Sequence, residues 1–461
     1  MTFGTRTLAP ALLLCAIAAP ATAQNNDGPS AQGDLAVTLN DGFDDGDALK
    51  FDWPMLSIGT GQYEDGPTGV TVIRFGRKVH GAVDARGGGP GTVNAPYLDL
   101  GYVQPELDAV VLAGGSWYGL EAVTAVNTAM KDDGYRGGHW NNVGLAVGSI
   151  IYDFGGRRLN EIYPDKRLAQ AAYRAARPGT FPIGPYGAGR SAMTGGLFGC
   201  NARSGQGAAF RQIGEVKIAV FTVVNALGVV TDREGKVVAC HAGRSARDLR
   251  AHDLLNASPA SLSPDWDGQQ AAEPDRKNTT ISLVVTNRSM SSAELKRLAV
   301  QVHTSMARGI QPFATELDGD VLYAVSTDEV EAGPGDGLVT AEIGAVASEL
   351  MWDAILSSVP QQPAAPQPRR SADRSDLQEF AGTYTFGPLA SLEVTAEKGR
   401  LYGRATGERD VFAIRKDGPT ELRPAGSNVF VVPGRYPFSI RFEGDEAVVN
   451  PGRWQQVGTR K

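Results

Sequence analysis

Histidine, a common proton acceptor and metal ligand in enzymes, is scarce in this sequence, with five residues in 461. None of the five stands in H-E-x-x-H or in another spacing typical of metal ligands. No G-x-S-x-G turn is present to hold a nucleophilic serine. The glycine-rich stretches 87–91 and 184–189 lack the Lys-Ser/Thr ending of a phosphate-binding loop. Metal sites, histidine-based catalysis and phosphate cradles are therefore not predicted.

An excess of positive charge is also missing. Lys and Arg number 44 against 51 Asp and Glu, which gives a formal net charge of −7. No basic run interrupts this balance, so the sequence predicts no nucleic-acid partner.

No apolar run reaches the roughly 20 residues that a membrane-spanning helix needs. The longest N-terminal run, 8–19, follows Arg6 and precedes an A-x-A-like site at 21–23. This pattern predicts a signal peptide, 1–23, and a periplasmic or secreted mature chain that has no membrane contact once the signal is removed. Of three cysteines, Cys200 and Cys240 then remain, and the sequence leaves open whether they pair or stay buried as thiols.

Apolar runs and helical periods alternate along the first three quarters of the chain. Runs at 69–75, 108–113, 216–225 and 280–286 predict strands, whereas the spacing over 120–133 predicts a helix. A capping box, 291–294, predicts the start of another helix. The order lacks a strict βαβ rhythm, which indicates an α+β fold.

A change in composition divides the chain near its C-terminal end. Four prolines between 357 and 375 predict an extended linker after a first domain of 24–356. Seven short strand-like runs follow in 376–461, among them 411–414, and they predict a small β-barrel or sandwich.

The segment 277–287 (KNTTISLVVTN) places two threonines where a polar loop enters an apolar strand. By itself the pattern is typical of a strand that begins with polar residues. Asn278, Thr279 and Thr280 also form an N-x-[ST] glycosylation sequon.

Five motifs in a fixed order give this segment another meaning. Together they resemble the DmpA-like family, the P1-family L-aminopeptidase/D-esterase peptidases, which includes β-peptidyl aminopeptidases and nylon-oligomer hydrolases. The motifs lie at 81–92 (GAVDARGGGPGT), 110–122 (VVLAGGSWYGLEA), 186–192 (YGAGRSA), 223–228 (VVNALG) and 278–281 (NTTI).

The resemblance implies an αββα sandwich, the fold shared with ornithine acetyltransferases, followed here by the small antiparallel β-barrel. It also implies self-cleavage between Asn278 and Thr279, which leaves chains 24–278 and 279–461. A threonine hydroxyl is a weak nucleophile that needs a base. The freed α-amine, with an ordinary pKa of about 7.7–8.0, can accept the hydroxyl proton. No metal or organic cofactor is implied.

Four further positions match the family's site. The resemblance implies that Asn225 donates to the oxyanion and that Tyr152 lines the site. It also implies that Asp318 and Asp320 orient the Thr279 hydroxyl and balance the protonation of its amine. One position departs from the family. A lysine common before its Leu-x-Gly is absent from 194–199 (TGGLFG), where Gly195 and Gly196 stand. Arg190 is a candidate to replace its charge.

The implied function is hydrolysis of an amide or ester bond in N-terminal aminoacyl substrates: short peptides, β-peptides or ω-amino-acid oligomers. A homo-oligomer of processed units is also implied. Two alternatives stay open: an acyltransferase like ornithine acetyltransferase, and a non-catalytic scaffold kept as a binding protein.

Overall fold

The computed structural model describes residues 32–33, 35–40, 48–99, 103–135, 137–241, 249–257, 278–331, 339–364, 366–369, 376–432 and 438–461. The predicted signal peptide lies outside these ranges. Residues 36–461 form one unit.

The strands before residue 331 are β1 Val37–Leu39, β2 Ala48–Lys50, β3 Leu56–Tyr63, β4 Thr68–Ala85, β5 Thr92–Val93, β6 Glu106–Ala113, β7 Ala146–Ile150, β8 Arg177–Pro178, β9 Thr180–Pro182, β10 Met193–Thr194, β11 Ala202–Arg203, β12 Gln206–Ile213, β13 Val216–Val223, β14 Val229–Val230, β15 Ile281–Arg288, β16 Ile310–Gln311 and β17 Val321–Val330. The helices are α1 Leu120–Asp132, α2 Lys166–Arg174, α3 Ala251–Ala257, α4 Ser292–Ser305 and α5 Thr340–Ser357.

The long strand β4 joins two layers of sheet. Its C-terminal half pairs with β17, which continues to β15, β13 and β12. Its N-terminal half pairs with β3 and β6, and β6 continues to β7 and β5. The pairing with β6 shifts in register between Arg74 and Val79, where the strand passes from one layer to the other.

The side chains of β13 show how the layers stack. Ala219, Phe221 and Val223 enter a core shared with both layers of sheet, whereas Ile218 and Val220 pack in a second core with α4 and α5. Successive side chains of a strand point to opposite faces, so one face of this layer meets sheet and the other meets helices.

The other sheet layer carries helices on its outer face. A Cβ at Gly59 of β3 would overlap the carbonyl oxygen of Ala172 in α2, and one at Gly148 of β7 would lie 2.8 Å from a methyl of Val123 in α1. Across the inner core, the hydroxyls of Ser149 and Tyr323 lie 2.8 Å apart and link β7 to β17. The order of layers is helix, sheet, sheet, helix, which confirms the predicted αββα sandwich.

The C-terminal region forms a closed antiparallel barrel, as the fold prediction stated, and β18 pairs with β25 to close it. The predicted strand 411–414 is wrong, because Val411 and Ile414 form only a single bridge around a tight turn. Two strands outside the predicted runs complete the barrel, β21 and β25. Its strands are β18 Gly382–Gly387, β19 Ala390–Glu397, β20 Arg400–Ala405, β21 Thr420–Pro424, β22 Val429–Val431, β23 Ser439–Glu443, β24 Glu446–Val449 and β25 Gln456–Arg460.

Cys200 and Cys240 form a disulfide, which decides the question that the sequence left open. Cys200 is buried against Val229 and Val237. The bond ties the loop after β10 to the segment after β14.

Candidate active site

Strand register brings the candidate site together. Val223 of β13 lies opposite Ile281 of β15, and Ile281 lies beside Val321 of β17. Continuing both pairings by two residues places Thr279 between Asn225 and Gly319. The contacts agree with this register: the backbone N–H of Thr279 donates to the carbonyl of Asn225 at 2.7 Å.

The peptide bond between Asn278 and Thr279 is buried and has two close donors. The hydroxyl of Thr279 donates to the carbonyl oxygen of Asn278 at 2.5 Å. The backbone N–H of Gly319 donates to the same oxygen at 2.9 Å. Asn278 and Thr279 are each 3% exposed. A side-chain hydroxyl and a backbone N–H thus bond to the same carbonyl oxygen, in a place shielded from bulk water.

Position 319 has room for no residue larger than glycine. A Cβ there would lie 2.7 Å from the hydroxyl oxygen of Thr279 and 2.7 Å from the carbonyl oxygen of Gly89. The glycine-rich stretch packs on this loop through its backbone, because the N–H of Gly89 donates to the carbonyl of Asp318 at 2.9 Å. The stretch 87–91 therefore forms a wall of the site.

Asn225 is buried, and its side-chain amide is held on both ends. Its Nδ2 donates to the carbonyl of Tyr152 at 3.0 Å, and its Oδ1 accepts from the backbone N–H of Met193 at 3.2 Å. The predicted oxyanion contact is not among these bonds, and that role stays a prediction.

Asp318 and Asp320 flank the threonines, and their hydrogen bonds go to backbone N–H groups and to one other hydroxyl rather than to the Thr279 hydroxyl. Asp320 accepts from the N–H groups of Thr280 at 2.5 Å and Ala314 at 3.0 Å. Asp318 accepts from the N–H of Leu227 at 3.2 Å and from the side-chain hydroxyl of Thr315 at 2.6 Å. The predicted orienting role stays a prediction.

Burial sets the protonation of these two carboxyl groups. It raises the pKa of Asp318 above the ordinary aspartate value, against the opposing effect of the hydrogen bonds. Burial and then the negative charge of Asp318 raise the pKa of Asp320 well above that value. Two buried carboxyl groups this close favour a state in which one of them keeps its proton.

Tyr152 lines an open cleft of about 500 Å³ beside the site, and its backbone carbonyl accepts the Asn225 amide. Four aromatic rings form much of the cleft wall, while Glu161 and Arg409 supply opposite charges. The rings belong to Trp117, Tyr118, Tyr152 and Phe154. Such a surface fits an apolar chain with polar ends.

Arg157, which the sequence analysis did not single out, is a cation that reaches the site. It is buried and donates to Asn278 Oδ1 at 2.6 Å, to the carbonyl of Tyr152 at 2.8 Å and to Asn225 Oδ1. These bonds use the Asn278 side chain, which does not fit the exposed acceptor that a glycosylation sequon requires. In the sequence, Arg157 lies in a Gly-Gly-Arg-Arg run, and nothing in that run distinguishes a functional arginine from a structural one.

Arg190, the predicted replacement for the family's lysine, lies elsewhere. It is 2.6 Å from Glu64 and forms an ion pair with that residue. A Cβ at Gly196 would lie 4.0 Å from Nδ2 of Asn278, so the position at which the lysine is absent lies beside the Asn278 side chain.

Across the described ranges, no three His, Cys, Asp or Glu side chains cluster as a metal site would need. The helices described are all too short or too polar to span a membrane.

Comparisons with known proteins place most of the chain in a family. Residues 52–364 match the model of peptidase family S58. A putative NylC-analogous protein of Agromyces is 43% identical over 319 residues, which cover 67% of this chain and 99% of that protein. A 6-aminohexanoate-oligomer endohydrolase of Paenarthrobacter ureafaciens is 42% identical over 318 residues, covering 67% of this chain and 85% of its own.

Among solved structures, a β-aminopeptidase of Burkholderia is similar with a TM-score of 0.47 and 17% identity, over 66% of this chain and 84% of that one. The family match ends at residue 364. The barrel, which begins at Gly382, lies outside it.

Proposed function

The chain belongs to peptidase family S58, as its motifs predicted, and we propose that this hydrolase cuts its own Asn278–Thr279 bond and then uses Thr279 as its nucleophile. The observation that carries the proposal is the Thr279 hydroxyl 2.5 Å from the Asn278 carbonyl oxygen, with the Gly319 N–H on the same oxygen.

Self-cleavage follows from this geometry in two steps. The Thr279 oxygen attacks the Asn278 carbonyl carbon, the C–N bond breaks, and the hydroxyl proton ends on the freed amine. Water then hydrolyses the ester and leaves a carboxylate on Asn278. The Gly319 N–H is aimed at the oxygen on which negative charge develops, where one donor is worth ~10²–10³ in rate.

The freed amine supplies the base for turnover. It accepts the Thr279 hydroxyl proton as the oxygen attacks a substrate carbonyl, and the leaving amine takes that proton. Water then releases the acyl group and restores the hydroxyl. This scheme needs no histidine, which agrees with the absence of histidine from the contacts described above.

Intact-mass analysis of the purified protein tests self-cleavage. We expect two chains, the second beginning at Thr279, and one uncut chain for Thr279→Ala. Thr280→Ala, one residue further, is the matched control and should still yield two chains. An uncut wild-type protein that hydrolyses amides would contradict the proposal. An uncut protein without activity would favour the binding-scaffold alternative.

For substrates, we propose ω-amino-acid oligomers and short peptides with a free amine. The relative from Paenarthrobacter is named for 6-aminohexanoate oligomers. The aromatic walls of the cleft suit a methylene chain, and Glu161 suits an amine. Hydrolysis of 6-aminohexanoate oligomers and of aminoacyl-nitroanilides should be compared, with acetyl transfer to glutamate as the measurement that would reveal an acyltransferase instead.

We also propose that the mature chain acts outside the cytoplasm, periplasmic or secreted. The Cys200–Cys240 disulfide supports an oxidising compartment. Cell fractionation and N-terminal sequencing would test the location and the cut after residue 23. The homo-oligomer rests on the family resemblance, and light scattering of the processed protein tests it.

A further inference from the structure

The loop that carries Arg157 into the site is held by the C-terminal barrel. The side-chain amide of Gln456, a buried barrel residue, donates to the carbonyl of Arg157 at 2.7 Å and accepts from the N–H of Leu159 at 2.6 Å. The Leu159 side chain is buried in the hydrophobic core of the barrel. Arg409 of the barrel donates to the carbonyl of Gly155.

These contacts lie before, at and after Arg157 in the sequence. The barrel holds the backbone at 155, 157 and 159, while the guanidinium reaches the other way to Asn225 and Asn278. A buried guanidinium is stable only when its donors find acceptors in fixed positions. Loop geometry, set by the barrel, therefore decides whether this cation occupies the site.

We infer that Arg157 is a positioning residue for self-cleavage and that the barrel is the part of the molecule that holds it there. This inference rests on the proposed function. Arg157 fixes the side chain of Asn278, on the acyl side of the scissile bond. It also fixes Asn225, whose backbone carbonyl accepts from the Thr279 N–H.

The first test replaces the arginine and follows the appearance of cut chains after a pulse of synthesis. Arg157→Met should cleave at least ~10-fold more slowly, because two charge-assisted hydrogen bonds beside the bond are lost. Arg157→Gln, which is shorter and has no charge, should also cleave more slowly and serves if the methionine variant does not fold. Either variant, folded and cleaving at the wild-type rate, would overturn the inference.

Rescue from another backbone position separates positioning from simple structural support. A Cβ at Gly196 meets no atom closer than 3.7 Å, and Nδ2 of Asn278 lies 4.0 Å away. Gly196→Lys therefore has room for its Cβ and introduces a cation beside the Asn278 side chain from a backbone position outside the 155–160 loop. In the Arg157→Met background it should recover much of the lost rate. A folded double variant that recovers nothing would count against the inference.

The second test removes the contacts of Gln456 with the loop in the full-length chain. Gln456→Leu removes both bonds to the loop at similar size. Gln378→Leu is the matched control, because Gln378 also bonds to barrel backbone, at Ala396, but lies on the exposed side. We expect slower self-cleavage for Gln456→Leu only, partly restored by Gly196→Lys. Equal rates for the two leucine variants, with folding verified by circular dichroism, would overturn the role of the barrel.

The two levels of the proposal can fail separately. A wild-type chain that stays uncut defeats the proposed function itself. A wild-type chain that cuts normally, together with Arg157 and Gln456 variants that cut equally fast, defeats only the inference about the barrel.

Discussion

At the scale of single residues, the site depends on how closely backbone groups approach Thr279. Gly319 gives its N–H to the Asn278 carbonyl and leaves room for the Thr279 hydroxyl because it has no side chain. Asp318 and Asp320 hold the two loops that flank the threonine. Their charge is costly in this buried position, and their raised pKa values express that cost.

Gly319→Ala should reduce self-cleavage strongly while the fold is kept. Its Cβ would stand 2.7 Å from the Thr279 hydroxyl oxygen, so the hydroxyl must move away from the carbonyl. A misplacement of a reacting atom by about 1 Å costs on the order of 10²-fold in rate. Intact-mass analysis over time measures the rate. Gly418→Ala, where a Cβ meets nothing within 4 Å, is the control and should cleave normally.

The buried carboxyl pair makes stability depend on pH in a definite direction. An unfolded aspartate has a pKa of about 3.9, and the folded pKa of Asp320 lies well above it. Protonation therefore favours the folded state, and this contribution is full below about pH 3.9 and is lost as the pH rises through the folded pKa.

Asp320→Asn removes this dependence. The unfolding free energy of the variant minus that of the parent should increase as the pH rises from about 4, measured by urea denaturation in the Thr279→Ala background. Asp445→Asn, whose side chain is 81% exposed, is the control. A difference for Asp320→Asn that stays flat with pH would contradict the assigned shift.

At the scale of elements, β4 and the parallel pair β15 and β17 position everything else. Because β15 and β17 run parallel and begin at the same edge, their entering loops bring Thr279 beside Gly319. The antiparallel strand β13 ends at that edge and delivers Asn225. Helix α4 follows β15 directly and packs against β4 and β17, so its N-terminus helps to hold this part of the sheet.

Ser291→Ala should lower the unfolding free energy by about 1 kcal/mol, because Ser291 caps α4. Its hydroxyl accepts from the N–H of Glu294 at 3.3 Å, and the Glu294 carboxylate accepts from the Ser291 N–H at 2.8 Å. Ser305→Ala at the other end of the helix is the control, since that hydroxyl donates only to Val302 within the helix. Urea denaturation compares them, and equal losses would argue against the cap.

At the scale of the whole molecule, the barrel contacts the loop and the cleft beside the candidate site. The first domain shares Leu159 with the barrel core, and Arg203 stacks over Trp454 at 5.6 Å. The alignment with the Agromyces relative covers 99% of that protein but 67% of this chain. Self-cleavage can therefore be compared between this chain and a shorter relative.

Removing the disulfide by Cys200→Ser with Cys240→Ser should lower the unfolding free energy by about 2–4 kcal/mol. The bond closes a loop of 40 residues, and opening it releases chain entropy in the unfolded state. Denaturation with and without reductant measures the loss, which reductant should reproduce in the wild type alone. Self-cleavage should persist, since neither cysteine contacts Thr279 or Asn278.

The sequence by itself determined the family, the alternation of strands and helices, the αββα class and the position of the threonine. These follow from local periodicity and from motif order, which the chain carries without help from distant residues. The tertiary structure alone decided which groups meet Thr279. Strand register set Gly319 against the Asn278 carbonyl, and the loop that contacts the barrel carries Arg157 to Asn278, where the sequence had offered Arg190 as the candidate cation. Contacts between residues far apart in sequence leave no periodic signal, because packing rather than local conformation selects them.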